Sequence, residues 1–322
     1  MKHILTLAAA CLALGASAQT LVVYPTSGEP IIYQASQIDH IEFVPASGDT
    51  EDKTVEITEL WSQRNDYRIY GKMYRPALTA ADEPLPTVIL AHSASLTADA
   101  MNAYATAIAE AGLCAYAFDF CGACDASRSD GSTDEMTVFT EVDDLRAVIA
   151  CLRQNAGVDG EQIFLLGSSQ GGLVAALTAE DASLNIAGMI LFYPAFNIPD
   201  YVAMMDQMGG LGGGSFGGGS FGMGYSEAFC DAMRDYDVYA NIGTFARPLI
   251  IVHGSQDMIV KISYSQRAVE TYPDATLYTI QGANHGFNSD NLGSFGSMMG
   301  SANYDDQVIP IVIDYLRSHI TN

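Results

Sequence analysis

The sequence predicts an α/β protein whose mostly parallel, eight-stranded sheet has helices on both faces. Three observations predict it. From Thr54 onward, short apolar runs alternate with amphipathic stretches, as in parallel strands connected by helices. With 322 residues, 49% of them hydrophobic, the chain can bury a large core. One apolar run, Ile163–Leu166, leads directly into Gly-x-Ser-x-Gly, a tight turn between a strand and a helix.

Residues 1–18 have the pattern of a secretory signal peptide. Lys2 precedes an apolar run from Ile4 to Leu14, and Ala16-Ser17-Ala18 forms a small-x-small cleavage site before Gln19. The run is shorter than the roughly 20 residues that a membrane-spanning helix needs. The sequence therefore predicts a secreted or periplasmic protein with no membrane span.

Two short segments precede the main domain. Residues 19–45 are predicted to form a small β appendage of two or three short strands, with a turn at Thr26–Pro30. Residues 46–53 are polar and are predicted to be a linker. The main domain is then expected to span residues 54–322.

The elements of the main domain follow one another in a regular order. The strands are expected at Thr54–Trp61, Tyr67–Tyr74, Thr87–Ala91, Cys114–Phe120, Ile163 to the Gly-x-Ser-x-Gly turn, Ile186–Phe192, Pro248–His253 and Thr276–Ile280. The first two should form an antiparallel pair. The helices are expected at Ala98–Ala111, at Met136–Gln154 with a cap near Ser132–Glu135, after Ser169 through Thr178, and at Asp305–Ile320.

An insertion of about residues 195–247 interrupts this alternation. Its glycine-rich part, Gly209–Gly224, contains Gly-Gly-Gly-Ser-Phe twice. Ordering so many glycines costs much conformational entropy, which favours a loop. Two interpretations stay open: a lid over the substrate pocket, or a tolerated low-complexity insertion that makes no contact with substrate.

Three residues have the types and the order of a catalytic triad. Ser169 is the central serine of the Gly-x-Ser-x-Gly turn and is the candidate nucleophile. A serine hydroxyl needs a base to accept its proton and a third group to orient that base. Asp257 follows the strand Pro248–His253, and His285 follows the last strand. We predict that His285 is the general base and that Asp257 is the acid.

Backbone amides are the expected oxyanion donors. The first is the amide of Gln170, because it follows the nucleophile at a helix start. The second is expected in the loop after Leu90-Ala91-His92-Ser93, where Ala94 is the best candidate. We predict that His92 and His253, which each end a buried strand, brace loops by hydrogen bonds.

With these motifs, the region from about Thr54 to the end resembles the α/β-hydrolase superfamily, and within it the bacterial cinnamoyl or feruloyl esterases and related acyl esterases. The resemblance rests on Gly167–Gly172, Phe118–Gly122, the helix starting Met136-Thr137-Val138, His253–Asp257 and Ala283–Phe287. It implies a triad of Ser169, Asp257 and His285, oxyanion donors at Ala94 and Gln170, and no cofactor. The chain departs from the family at His92-Ser93, Gly167-Ser168-Ser169 and Gly122-Ala123-Cys124, where His-Gly, Gly-His-Ser and Gly-His-Gly are usual.

The net charge argues against nucleic-acid binding, and the cysteines argue against a disulfide framework or a metal site. The net charge is −24, from 38 acidic and 14 basic residues, so the surface repels the phosphates of nucleic acids. Five cysteines follow residue 18, an odd number without the spacing of a disulfide framework. Cys121-Gly122-Ala123-Cys124 has no second ligand pair, so no metal site is predicted.

The predicted function is a secreted serine esterase that forms an acyl-enzyme. The expected substrates are small-molecule or polysaccharide esters, with feruloyl, acetyl or short-chain acyl groups. Two alternatives stay open: a serine peptidase of the prolyl-oligopeptidase kind, and a non-catalytic glycan-binding protein on a hydrolase scaffold. The oligomeric state is left open by the sequence.

Overall fold

The computed structural model describes residues 20–23, 31–34, 55–207, 225–287 and 303–321. The chain divides into two compact units, Met1–Asp52 and Lys53–Asn322. The predicted signal peptide, the predicted linker and the glycine-rich residues 209–224 lie outside the described residues. No helix within the described ranges has both the length and the apolar character needed to cross a membrane.

In the first unit, two short strands pair antiparallel. They are β1 (Thr20–Val23) and β2 (Ile31–Gln34), with Thr20 opposite Gln34 and Val23 opposite Ile31. Both strands are rich in β-branched residues, which fit a pleated ladder. They agree with the prediction of short strands in this segment.

The second unit contains an eight-stranded sheet. Its strands are β3 (Val55–Glu59), β6 (Gly71–Pro76), β7 (Leu85–Ala91), β8 (Cys114–Phe118), β9 (Val158–Ser168), β10 (Gly188–Phe192), β11 (Leu249–Gly254) and β12 (Ala275–Ile280). Their order across the sheet is β12-β11-β10-β9-β7-β8-β6-β3. The six strands from β12 to β8 are parallel, whereas β6 runs antiparallel to both β8 and β3. The predicted fold class is confirmed.

Alternate residues of the central strands point into two different cores. In β7, Ile89 and Ala91 belong to one buried cluster, while Val88 and Leu90 belong to the other. A strand covered on both faces must be apolar at successive positions, which explains its continuous apolar run. Both faces of the sheet are therefore packed, as expected from the alternation of strands and helices.

Seven α-helices lie in the described ranges. They are α1 (Asn102–Glu110), α2 (Val138–Leu152), α3 (Gln170–Ala179), α4 (Ile198–Gln207), α5 (Glu227–Met233), α6 (Ile262–Thr271) and α7 (Asp305–His319). Helices α2 and α3 pack on one face of the sheet, and α1 and α7 on the other.

Several predicted boundaries need correction. The cap of α2 is Thr137, not a residue of Ser132–Glu135, because Thr137 and Thr140 exchange side-chain to backbone hydrogen bonds in a capping box. The strand β9 begins at Val158 rather than Ile163. A small hairpin of β4 (Ser62–Arg64) and β5 (Tyr67–Ile69) separates the two strands of the opening pair.

Helix formation in the second half was underestimated by the sequence analysis. Helix α6 was not predicted, and neither were α4 and α5, which lie on either side of the glycine-rich part of the 195–247 insertion. The N-cap of α5 is Ser226, whose side chain accepts a hydrogen bond from the Phe229 amide. Whether the insertion acts as a lid stays a prediction.

Candidate active site

Ser169 occupies a strained turn between β9 and α3. Its φ and ψ are 53° and −115°, a backbone conformation that residues other than glycine rarely adopt. A Cβ atom at Gly167 would lie 2.3 Å from the Gly171 oxygen, and one at Gly171 would lie 2.3 Å from the Ala91 oxygen. Glycine is therefore required on both sides of Ser169. The Ser169 amide donates to the Phe192 oxygen at 2.9 Å, which ties the turn to β10.

The His285 ring lies within hydrogen-bonding distance of Ser169. Its Nε2 is 3.0 Å from the Ser169 Oγ, and its side chain is almost fully buried. The loop carrying it follows β12, and the Tyr193 ring packs against the imidazole with 4.4 Å between ring centroids. The loop is secured by Asn284, whose Oδ1 accepts from the amides of His285 and Met258 at 3.0 and 3.3 Å.

Asp257 lies on the other side of the His285 ring. Its Oδ2 is 2.7 Å from His285 Nδ1, and its Oδ1 accepts from the amides of Ile259 and Val260, both at 2.9 Å. A carboxylate can only accept, so Nδ1 carries the proton and Nε2 is left to accept from Ser169. The structure thus brings the three residues of the predicted triad together in one hydrogen-bonded chain.

A second histidine also faces Asp257. His253 is completely buried at the end of β11, and its Nε2 lies 2.8 Å from the Val260 oxygen and 3.3 Å from Asp257 Oδ2. Both oxygens are acceptors, so Nε2 is protonated, while Nδ1 lies 2.7 Å from the Ser265 hydroxyl. The prediction that His253 braces a loop is confirmed, and the structure adds its contact with Asp257.

These contacts keep the Asp257 carboxyl ionised. Burial alone raises its pKa, but hydrogen bonds from His253 and His285, the charge of His285 and the Val260 amide together hold the pKa well below its ordinary value. An ionised carboxylate holds the Nδ1–H of His285 in place.

The two segments predicted to supply oxyanion donors are adjacent. Gln170 is the first residue of α3, so its amide has no acceptor within the helix. Ala94 lies in the turn after β7, beside Ser93. Ser93 Oγ is 2.9 Å from Ser168 Oγ, which joins this turn to the serine turn. The donor roles of the two amides stay predictions.

His92 braces the turn after β7. Its Nε2 accepts from the Phe120 amide at 3.1 Å, and its Nδ1 donates to the Ser93 oxygen at 2.8 Å. Burial lowers the pKa of His92, which keeps the ring neutral in this arrangement. The predicted bracing role of His92 is confirmed.

The comparisons with known proteins agree with this architecture. A family model described as serine aminopeptidase, S33, matches residues 82–213, a stretch that contains Ser169 but neither Asp257 nor His285. No curated protein matches the chain. The structure of Est1E from Butyrivibrio proteoclasticus with ferulic acid bound superimposes with a TM-score of 0.66 at 20% identity, covering 82% of this chain and 100% of that one.

Two further solved structures have the same fold. An esterase from Pyrococcus furiosus superimposes with a TM-score of 0.60 at 21% identity, and the match covers 86% of this chain and 97% of the esterase chain. A monoacylglycerol lipase from Paleococcus ferrophilus has a TM-score of 0.57 at 20% identity, with coverages of 78% and 99%. The chain has the α/β-hydrolase fold.

Sequence reasoning missed three side chains beside the candidate triad and its serine turn. They are Tyr193, which packs on His285, Asn284, which joins two loops, and Glu141, which accepts a hydrogen bond from Gln170 Nε2 at 2.8 Å. Asn284 directly precedes His285, so its position was a usable signal. Glu141 offered none, because an acidic residue in the first turn of a helix usually faces solvent.

Proposed function

We propose that this chain is a secreted serine esterase that hydrolyses carboxylic esters through an acyl-enzyme. One observation carries the proposal: the Ser169 Oγ, His285 and Asp257 form a continuous hydrogen-bonded chain, with distances of 3.0 and 2.7 Å. This is the arrangement that activates a serine hydroxyl for attack on a carbonyl carbon.

In the first half-reaction, Ser169 Oγ attacks the ester carbonyl carbon while its proton moves to His285 Nε2. The carbonyl π electrons move onto oxygen, and a tetrahedral intermediate forms. The imidazolium then returns its proton to the alkoxy oxygen, the bond between carbon and that oxygen breaks, and the alcohol leaves. Asp257 stabilises the imidazolium because it stays ionised beside Nδ1.

The negative charge on the tetrahedral intermediate needs donors that are already in position. The Gln170 amide, at the first position of α3, and the Ala94 amide are assigned this role. The positive end of the α3 dipole favours an anion at the same place.

In the second half-reaction, water replaces the alcohol. His285 Nε2 accepts a proton from the water, the hydroxide oxygen attacks the acyl carbon, and the second tetrahedral intermediate releases the carboxylic acid. Ser169 Oγ recovers its proton from His285. The cycle uses only groups of this chain and water.

The proposed substrates are feruloyl, acetyl or short-chain acyl esters, including those on polysaccharides. The neighbour Est1E was solved with ferulic acid bound, and the motifs of this chain resemble those of feruloyl esterases. The predicted signal peptide at residues 1–18 supports export from the cytoplasm. Export is tested by recovering the protein outside the cytoplasm and finding Gln19 at its N-terminus by mass spectrometry.

The catalytic proposal is tested with p-nitrophenyl acetate. The purified chain should hydrolyse it, and Ser169→Ala should reduce kcat on the order of 10⁶-fold, as when a serine nucleophile is removed. The matched control is Ser168→Ala, which removes the neighbouring hydroxyl and should cost less than about tenfold. A fluorophosphonate should label Ser169. Equal loss in both variants, or no hydrolysis of any ester or amide by the wild type, would overturn the proposal.

A serine peptidase is the second candidate, and the description of the matched family model favours it. Methyl ferulate, acetylated xylan and a proline p-nitroanilide separate the candidates. A higher kcat/KM for the anilide than for both esters would assign a peptidase. Glycan binding without hydrolysis of any substrate would instead support the non-catalytic alternative.

A further inference from the structure

A carboxyl group that the triad does not use is buried beside the nucleophile turn. Glu141 lies in the first turn of α2, and 1% of its surface is exposed. Gln170 Nε2 donates to Glu141 Oε2 at 2.8 Å. In the described part of the chain, no lysine, arginine or histidine pairs with Glu141. Within the described ranges, an ionised carboxylate in this position would have a single hydrogen bond to compensate for its burial.

The Gln170 side chain has an acceptor for which the described residues supply no donor. It is also 1% exposed, and its Oε1 has no hydrogen-bond partner among the described residues. Leaving a buried carbonyl oxygen without a donor is costly. A protonated Glu141 carries an O–H that can supply this donor. The carboxyl group and the carboxamide would then each donate and accept one hydrogen bond.

The charges around Glu141 favour its neutral form. Asp144 lies one turn further along α2 and pairs with Arg64 of β4, while Tyr225 precedes α5 and is partly buried. Among the described residues, neither α3 nor β9 adds a cation here, because the α3 residue that faces Glu141 is Gln170 and the β9 residues that pack against α2 are apolar. Burial, and then the charge of Asp144, raise the pKa of Glu141 to about 8, although the Gln170 bond opposes them.

We propose that Glu141 is a positioning residue: its neutral carboxyl group pairs with the Gln170 carboxamide and thereby holds the Gln170 backbone amide in place for the oxyanion. The inference rests on the proposed function. Loss of the Glu141 proton would leave Gln170 Oε1 without a donor. It would also place a negative charge beside an oxyanion, so turnover should fall at alkaline pH.

The test is the pH dependence of kcat and KM for p-nitrophenyl acetate in the wild type and two variants. Wild-type kcat should fall about tenfold between pH 7 and pH 9, while KM changes little, since the loss concerns the transition state. Glu141→Gln mimics the neutral carboxyl, because its amide can donate to Gln170 Oε1. It should keep kcat within about threefold at pH 6.5 and show no alkaline fall.

Glu141→Leu removes both hydrogen bonds and should lower kcat about 10- to 100-fold at all pH values, with KM nearly unchanged. Asp143→Asn is the matched control, because Asp143 is an exposed acid of the same helix that pairs with Arg146. Its pH profile should equal that of the wild type. The infrared carbonyl band of a buried, protonated carboxyl should be present in wild type at pH 7 and absent from Glu141→Gln.

The outcomes separate the inference from the proposed function. A wild type that hydrolyses no ester overturns both. An active wild type whose alkaline fall persists in Glu141→Gln overturns the inference alone, as does an unchanged kcat in a folded Glu141→Leu protein. If Glu141→Leu does not fold, the profile of Glu141→Gln and the infrared band decide.

Discussion

Two buried carboxyl groups act on neighbouring residues of this molecule, and they differ in charge. Asp257 contacts His285, which contacts Ser169, whereas Glu141 contacts Gln170, the next residue. Of the described residues, two imidazoles and two backbone amides donate to Asp257, but a single amide side chain donates to Glu141. Burial raises the pKa of both groups, yet only the pKa of Asp257 ends below its ordinary value. The number of donors, rather than the burial, decides which group is ionised.

Removing the charge of Asp257 should have the largest effect. Asp257→Asn keeps the shape of the side chain but no longer stabilises the imidazolium or selects the His285 tautomer. We expect kcat for p-nitrophenyl acetate to fall about 10⁴-fold. Glu141→Gln, measured in parallel at pH 6.5, removes a group that is already neutral. Similar losses in the two variants would contradict the assignment of opposite charge states.

Removing one donor from Asp257 should have an intermediate effect. His253→Leu deletes Nε2, which lies 3.3 Å from Asp257 Oδ2, together with its proton. Because hydrogen bonds to charged groups are the stronger ones, kcat should fall about 10- to 100-fold. His253→Gln can still donate an N–H and should recover part of the loss. Far-ultraviolet circular dichroism checks folding, and no loss in folded His253→Leu would show that Asp257 does not depend on this donor.

Neutral hydrogen bonds beside Ser169 should contribute less. Ser93→Ala removes the hydroxyl that lies 2.9 Å from Ser168 Oγ and joins the turn after β7 to the serine turn. We expect kcat to fall about three- to tenfold, as for the loss of a neutral hydrogen bond. Ser183→Ala, in an exposed turn, is the control. A loss as large as that of His253→Leu would contradict the distinction between neutral and charged contacts.

The contributions of Glu141 and Asp257 to the free energy of unfolding should change with pH in opposite directions. Glu141 keeps its proton in the folded state up to about pH 8 but loses it near pH 4.5 when unfolded. Its contribution to the free energy of unfolding is therefore full below pH 4.5 and is lost as pH rises towards 8. The melting temperature of Glu141→Gln should therefore rise relative to that of the wild type, by about 5 °C, as the pH is raised from 5 to 9.

For Asp257 the folded pKa is lowered, so its contribution is full above about 3.8, the ordinary value, and is lost as pH falls below it. The melting-temperature difference between wild type and Asp257→Asn should shrink in that acid range. Differential scanning fluorimetry at several pH values measures both effects. If the melting-temperature difference from wild type changed with pH in the same direction for both variants, the opposite charge states assigned to Asp257 and Glu141 would be contradicted.

Much of the candidate site was predictable because its parts are local signals. Gly167 and Gly171 mark the serine turn, since a Cβ at either position would meet backbone atoms. Asp257 and His285 each follow an apolar strand, and parallel strands bring their carboxyl ends to one edge of the sheet. Helix α6 escaped prediction because its buried residues, Ser265 and Ala268, are few and not strongly apolar.

The amino-acid sequence by itself determined the α/β class, the serine turn, and the identity and order of Ser169, Asp257 and His285. These depend on apolar periodicity and on residues adjacent in the chain. Only the tertiary structure decided the contacts of His253 with Asp257, of Ser93 with Ser168 and of Glu141 with Gln170, the last two between residues 75 and 29 positions apart. The charge state of a carboxyl depends on how many donors surround it, and packing between distant segments sets that number.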